Sequence, residues 1–235
     1  MQETRTDERG VLEALIGDGR PLLIFTGLAL LLAGAFALFL SATRHFLPHD
    51  VQFLGMTAEQ LCGIENCRVV FFMFHDRVAF GGALIALGAL YMWLADFPLR
   101  HRNAWAWWLF VVSGICGFGS FLAYLGYGYL DTWHGVATLF LLPFFLGGLI
   151  RSHGFLDKPK GIGSLFKSPV KVSWRSAFGI GRLLLLATAF GMIAGGLTVT
   201  TVGMTRVFVP QDLEFMRLGI AELSSAVPSR MNSRS

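Results

Sequence analysis

Several apolar runs in this sequence are about 20 residues long, which is the length needed to cross a hydrocarbon core of roughly 30 Å. Hydrophobic residues make up 54% of the chain and charged residues only 14%, so these runs dominate what it can fold into. The sequence therefore predicts an all-α fold, a polytopic transmembrane helical bundle with five membrane spans. The predicted spans are Leu22–Ala42, Val69–Leu94, Ala104–Tyr127, Trp133–Ile150 and Ala177–Gly203.

The positions of the positive charges predict the orientation of the spans. Arg and Lys are concentrated in the second and fourth connections, whereas the third connection has neither and the first has only Arg44 and Arg68. Cytoplasmic loops carry the excess of Lys and Arg. We therefore expect a cytoplasmic N-terminus, an external C-terminus and a location in the bacterial inner (cytoplasmic) membrane. Because the positive charges are placed in this way, we interpret the net charge of +4 as an orientation signal and expect no nucleic-acid partner.

The fifth predicted span resembles the first without a gap, at an offset of 162 residues. The agreement is strongest just beyond each span, where Thr, Arg, Phe, Pro, Asp and Phe recur with the same spacing in 43–53 and 205–215. Both copies start on the cytoplasmic side, so we expect a partial parallel internal repeat. The second copy stops at Ser235, just before the position where a second His-Asp-Arg would fall.

The repeat and the spans together predict five segments. They are a cytoplasmic N-terminal segment (1–20), a four-span bundle (21–152) with an external segment (43–68), a basic cytoplasmic linker (153–175), the fifth span (176–204) and an external C-terminal segment that repeats 43–68 (205–235). Within the external segment, Pro48 and Asp50 predict a helix start, and residues 56–61 predict a further short helix.

Three adjacent ionisable residues, His75, Asp76 and Arg77, interrupt the second predicted span. An Arg or Asp at the centre of a membrane helix costs roughly 2.5–3.5 kcal/mol on insertion scales, so such residues are expected to be paired or to hold a ligand. His75 lies about six residues into the span, or roughly 9 Å from its outer end. The predicted topology brings other polar residues to the same outer level: Tyr127, Tyr129, Asp131 and His134, with His49 and Asp50 of the external segment above them.

This outer polar layer has two interpretations. In the first it is a structural network of Asp76, Arg77, Asp131, His49 and Asp50, with Arg77 paired to Asp131 or Asp76. In the second, His75, His134, Arg77, Tyr127 and Tyr129 bind a cofactor. Two histidines from different spans at similar depth can ligate the metal of haem b, and one can ligate the magnesium of a chlorophyll-type pigment. A quinone would take hydrogen bonds from the same His and Tyr side chains.

An enzyme acting on a lipid or quinone at the outer leaflet is the alternative, with His75 and Asp76 as acid and base. The sequence has none of the common catalytic signatures that would favour it, such as His-Glu-x-x-His or Gly-x-Ser-x-Gly.

The unpaired fifth span favours docking on other transmembrane subunits in a lipid bilayer. We therefore expect a subunit of a larger membrane complex of the respiratory or photosynthetic type, serving electron transport or photosynthesis.

Two cysteines, Cys62 and Cys67, lie in the first external connection. A disulfide between them is expected if the compartment is oxidising, and two free thiols are the alternative.

Overall fold

The computed structural model describes residues 16–126, 132–154, 156–157, 161–163, 173, 175–206 and 208–226. Throughout these residues the regular structure is helical, with no strand. Nine α-helices are described, and a 3-10 turn at Glu65–Cys67 precedes α4. The α-helices are α1 (Arg20–Ala42), α2 (Pro48–Leu54), α3 (Ala58–Cys62), α4 (Arg68–Asp96), α5 (Ala104–Gly126), α6 (Thr132–His153), α7 (Ala177–Thr205), α8 (Pro210–Met216) and α9 (Ile220–Ala226).

Four stretches of the described helices are long and apolar enough to cross a membrane: Arg20–Ala42, Glu65–Asp96, Gly135–His153 and Ala177–Thr205. A fifth apolar helical stretch, Ala104–Ser120 in α5, is shorter. These lengths and compositions identify a multi-pass membrane protein.

The chain divides into two compact units. The first unit comprises residues 1–50 and 73–165, and the second comprises residues 51–72 and 166–235. In the first unit α6 packs against both α1 and α5. Fully buried side chains between these helices and the end of α4 form its core, which includes Leu23, Leu94, Leu99, Ala106 and Phe110.

Glycines allow α1 and α4 to touch through their backbones in the first unit. A β-carbon at Gly34 would lie 2.5 Å from the carbonyl oxygen of Gly81, and one at Gly27 would lie 2.8 Å from that of Gly88. The two glycines of each helix are seven residues apart, which is close to two helical turns, so they lie on one face. Small residues at such positions let membrane helices approach closely.

Polar groups also connect helices inside the first unit. The hydroxyl groups of Tyr91 and Ser113 lie 2.6 Å apart and join α4 to α5, while the Tyr91 ring packs edge-on against Phe110. The indole Nε1 of Trp107 donates to the carbonyl oxygen of Leu149 at 2.9 Å and joins α5 to α6. Each contact gives a buried polar atom a partner within the bundle, so neither loses a hydrogen bond by leaving water.

In the second unit α8 packs against the first turn of α4. Arg68 donates from Nη1 to the carbonyl oxygen of Phe215 at 2.9 Å, and its guanidinium lies 6.0 Å from the centre of the Phe215 ring. Phe72 and Phe208 pack edge to face with centroids 5.8 Å apart. The buried side chains of Leu61, Val69, Val70 and Met216 complete the packing of this unit.

Helix α7 differs from the other membrane-length helices in its exposure. None of its most apolar 18-residue stretch is buried, against 22–28% in the other three. Leu185, Phe190 and Met192, for example, are all more than 70% exposed.

The two short helices after α1 and the two after α7 begin at positions 162 residues apart, and α2 and α8 have the same length. Both pairs use the same caps. Asp50 accepts from the backbone N–H of Leu47 at 2.8 Å, and Asp212 accepts from that of Val209 at 3.1 Å. The side chains of Gln60 and Glu222 each accept from the backbone N–H three residues earlier, both at 2.8 Å. A side chain in the first turn that reaches back to the capping residue satisfies a donor that the helix leaves open.

Candidate functional site

The candidate site is built where α1 ends and the chain turns into α2. The backbone N–H of His45 donates to the carbonyl oxygen of Leu40, and Arg44 has a positive φ of 55°. This six-to-one hydrogen bond with a left-handed residue is a Schellman end, which stops the helix and reverses the chain direction. The turn leaves the carbonyl oxygen of His45 facing α4, where it accepts from Arg77 Nη1 at 3.1 Å.

Arg77 of α4 and Asp50 of α2 form the ion pair at the centre of this site. Arg77 Nη2 lies 2.7 Å from Asp50 Oδ2, the same oxygen that caps Leu47. The Asp50 side chain is only 4% exposed and the Arg77 side chain 15% exposed. We call Arg77, Asp50 and the His45 carbonyl the arginine node. The node attaches the start of α2 to α4 by one guanidinium that bonds both a side chain and the backbone.

Aromatic rings and His49 surround the arginine node. The rings of Phe46 and Phe74 pack edge to face with centroids 5.8 Å apart, and the Arg77 guanidinium lies 5.9 Å from the centre of the Phe74 ring. His49 Nε2 lies 3.6 Å from Asp50 Oδ1, and the His49 side chain is 13% exposed. Little water can therefore reach the ion pair, which strengthens its electrostatic attraction.

His75 and Asp76 lie on a different face of α4 from Arg77. Successive residues turn by about 100° on a helix, so His75 lies about 200° around the axis from Arg77. The His75 side chain is 79% exposed and the Asp76 side chain 61% exposed, and His75 Nδ1 lies 3.5 Å from Asp76 Oδ1. The three consecutive ionisable residues therefore do not form one cluster.

The other residues predicted for the polar layer fall outside the part of the chain that the structure describes. These are Tyr127, Tyr129 and Asp131, together with the side chain of His134. Of the two partners expected for Arg77, Asp131 is therefore not described, and Asp76 extends from another face; the carboxylate that Arg77 contacts is that of Asp50. Among the residues that the structure does describe, no three His, Cys, Asp or Glu side chains are grouped as metal ligands would be.

Cys62 and Cys67 are joined by a disulfide in the second unit. The turn that it closes contains three consecutive residues with positive φ, Glu65 (47°), Asn66 (52°) and Cys67 (64°). Residues other than glycine lose roughly 1–2 kcal/mol in this conformation. The covalent link therefore holds a turn that the backbone alone would not favour, immediately before α4 begins.

Sequence reasoning placed Asp50 and Arg77 in one polar layer but did not pair them with each other. The sequence does contain a signal that Asp50 is held in place, because it comes two residues after Pro48 and such an aspartate caps its own helix. A fixed carboxylate of this kind is a suitable partner for a buried arginine. The role of the His45 carbonyl had no sequence signal, since it depends on the left-handed backbone of Arg44.

The sequence matches no protein-family model, and neither a curated protein nor a solved structure is significantly similar to it.

Proposed function

We propose that this protein is a subunit of a larger assembly in the bacterial cytoplasmic membrane, in which α7 docks on other transmembrane helices. The observation that carries the proposal is the exposure of α7, none of whose most apolar stretch is buried. By comparison, α1, the corresponding helix of the first unit, packs against both α4 and α6.

The glycines of α7 support the same proposal. Gly191, Gly195 and Gly196 lie in the middle of the helix, and a β-carbon at any of them would meet nothing within 4 Å. A glycine inside a helix is less favourable than alanine by roughly 0.5–1 kcal/mol. Small residues seven positions apart, as at Ala189 and Gly196, lie on one face of a helix and let membrane helices approach closely. A partner helix packed on this face would give Gly196 a structural role.

The proposal includes the finer architecture predicted from the sequence. It has five spans, a cytoplasmic N-terminus and a parallel repeat whose second copy begins with α7. The repeat is supported by the common starting offset of the short helices and by their shared caps. It is further supported by Thr26 and Thr188, which make the same hydrogen bond to the carbonyl four residues earlier.

The assembly can be tested by extracting the protein from native membranes in polymer nanodiscs and measuring its mass. We expect a discrete complex with stoichiometric partners. A variant with Ile193→Trp on the exposed face of α7 should leave the complex, while a Leu139→Trp variant on the equally exposed surface of α6 should remain. Recovery of wild-type protein at its own 25.8 kDa alone would contradict the proposal.

A second candidate is a tetrapyrrole or quinone site that uses His75, with His134, Tyr127 and Tyr129 as the other predicted contacts; Arg77, which faces the other side of α4, is not part of it. The observation in its favour is that the His75 imidazole is 79% exposed and so open to a ligand. The absorption spectrum of the purified protein tests it. A Soret or chlorophyll band that disappears in His75→Ala would support a tetrapyrrole, and extraction of a quinone from wild type but not from the variant would support a quinone. A colourless protein without quinone would contradict this candidate.

A further inference from the structure

Helices α7 and α8 correspond in sequence to α1 and α2, which contact α4 in the first unit. This correspondence indicates what kind of helix would bind to α7 and α8. In the first unit α4 makes two kinds of contact with α1 and α2. Its glycines meet the glycine face of α1, and its arginine bonds Asp50 of α2. Both receiving surfaces recur 162 residues later, in α7 and α8.

The receiving face of α7 is small and open. Gly34 of α1 corresponds to Gly196, and Gly27 corresponds to Ala189, so two small residues again lie seven positions apart. Leu31, whose β-carbon lies 3.0 Å from the position of a β-carbon on Gly88, corresponds to Ile193, which is 63% exposed. Among the residues that the structure describes, this face of α7 makes none of the close glycine contacts that the corresponding face of α1 makes with α4.

The receiving carboxylate is Asp212. Its Oδ2 caps Val209 as that of Asp50 caps Leu47, so the carboxylate is held in the same way at the start of the short helix. In the first unit Asp50 Oδ2 also accepts a hydrogen bond from the Arg77 guanidinium at 2.7 Å. Within the described residues Asp212 has no corresponding ion pair.

We infer that the α7–α8 surface binds a transmembrane helix of a partner protein that runs antiparallel to α7 and carries an arginine for Asp212. The arginine is followed at the fourth and eleventh positions by glycine or another small residue, as Gly81 and Gly88 follow Arg77. This inference rests on the proposed docking role of α7 and adds the chemistry of the partner. A partner protein is favoured over a second copy because Arg77 of each copy already bonds its own Asp50.

A peptide of α4 itself is the probe for this surface. The peptide Arg68–His101 with Ile85→Cys contains the arginine and both glycines and has no other cysteine. The full chain carries Cys116→Ser and Ile193→Cys, and both are reconstituted in nanodiscs with a short bis-maleimide linker. Ile85 is the appropriate reporter because its Cγ1 would lie 2.8 Å from a β-carbon at Gly34, one turn from Leu31. We expect the peptide to crosslink to the chain at position 193. Gly195→Cys is the control at the same depth, because two residues turn the side chain to the opposite side of α7.

The charge dependence decides whether Asp212 receives the arginine. Arg77→Leu in the peptide, or Asp212→Asn in the chain, should each lower crosslinking roughly tenfold or more, because each removes one member of a desolvated pair. Asp212→Asn keeps an oxygen that can cap Val209, so the fold of α8 is retained. Equal crosslinking at positions 193 and 195, or crosslinking unaffected by both charge changes, would overturn the inference.

Two outcomes separate this inference from the proposed function. If the native complex is found but the peptide does not prefer position 193, the partner chemistry is wrong and the subunit role stands. If a chain carrying both Ile85→Cys and Ile193→Cys forms crosslinked dimers without peptide, the occupant is a second copy, and the inference of a separate partner protein is overturned.

Discussion

At the scale of single residues, Asp50 and Arg77 show how charged side chains are accommodated in a chain rich in apolar membrane helices. Each group alone would be costly away from water, but the Asp50 carboxylate accepts from a backbone N–H and a guanidinium, and the guanidinium also bonds a carbonyl. Removing one member of such a pair leaves the other buried without its counter-charge. The arginine node is therefore the position where a small chemical change should have the largest effect.

We predict that Asp50→Asn lowers the free energy of unfolding by about 3 kcal/mol, the lower end of the range for breaking a buried pair. The amide can still cap Leu47, so the loss reports the missing charge. Asp212→Asn is the matched control, because it makes the same change at a half-buried carboxylate and should cost less than about 0.5 kcal/mol. Equilibrium unfolding by SDS in mixed micelles measures both, and equal losses would contradict the role assigned to the node.

The disulfide supports a second prediction. Replacing Cys62 and Cys67 together by serine should lower stability by about 2 kcal/mol, the value expected for a loop of this length. The strained turn would then relax before α4. Thermal unfolding of the purified protein, with Cys116→Ser as the control, measures the loss. An unchanged melting temperature would show that the disulfide does not stabilise the second unit.

At this scale the sequence predicted ionisable residues within α4 but not their arrangement. Such residues are costly in a membrane helix, so their presence is informative from the sequence alone. The sequence could not show that Arg77 and His75 lie on opposite faces with different partners, because that depends on where α2 returns to the helix surface. The return is set by the left-handed backbone of Arg44, which no simple propensity predicts for arginine.

At the scale of helices, the glycine contact between α1 and α4 explains why the most apolar stretch of α1 is buried in part and that of α7 is not. The two helices have related sequences, but within the described part of the chain only α1 has a partner helix against its glycine face. The difference in burial comes from the partner and not from the composition of the helix. This is why the sequence could predict long apolar helices but not which of them would be covered.

We predict that Gly34→Ala destabilises the protein by about 1–3 kcal/mol, because the added methyl group meets the backbone of Gly81. Gly196→Ala at the equivalent position of α7 meets nothing within 4 Å. It should leave the isolated chain unchanged or slightly more stable, since alanine is the better helix former. The same SDS titration compares the two variants. Equal destabilisation would show that α7 is already packed in the isolated chain.

At the scale of the whole molecule, the all-helical membrane fold follows from length and hydrophobicity alone, which is why it was predictable. The number of spans depends in addition on α5. The four stretches that are long and apolar enough to cross a membrane do not include α5, although this helix extends over 23 residues, Ala104–Gly126. Whether α5 crosses the membrane decides the side on which everything after it lies.

Labelling from one side of the membrane distinguishes the two topologies. In a chain with all three cysteines replaced by serine, single cysteines at Glu59, Arg100, Lys160 and Gln211 are treated with an impermeant maleimide on spheroplasts. Five spans with a cytoplasmic N-terminus place positions 59 and 211 outside and positions 100 and 160 inside, in agreement with the Lys-rich connection. If α5 does not cross, positions 100 and 59 are unchanged while 160 becomes external and 211 internal.

We expect immediate labelling at 59 and 211, with the other two labelled only after permeabilisation. Labelling at 160 in intact spheroplasts would contradict five spans and would place Asp212 on the opposite side of the membrane from Asp50, so that the two could not receive equivalent helices.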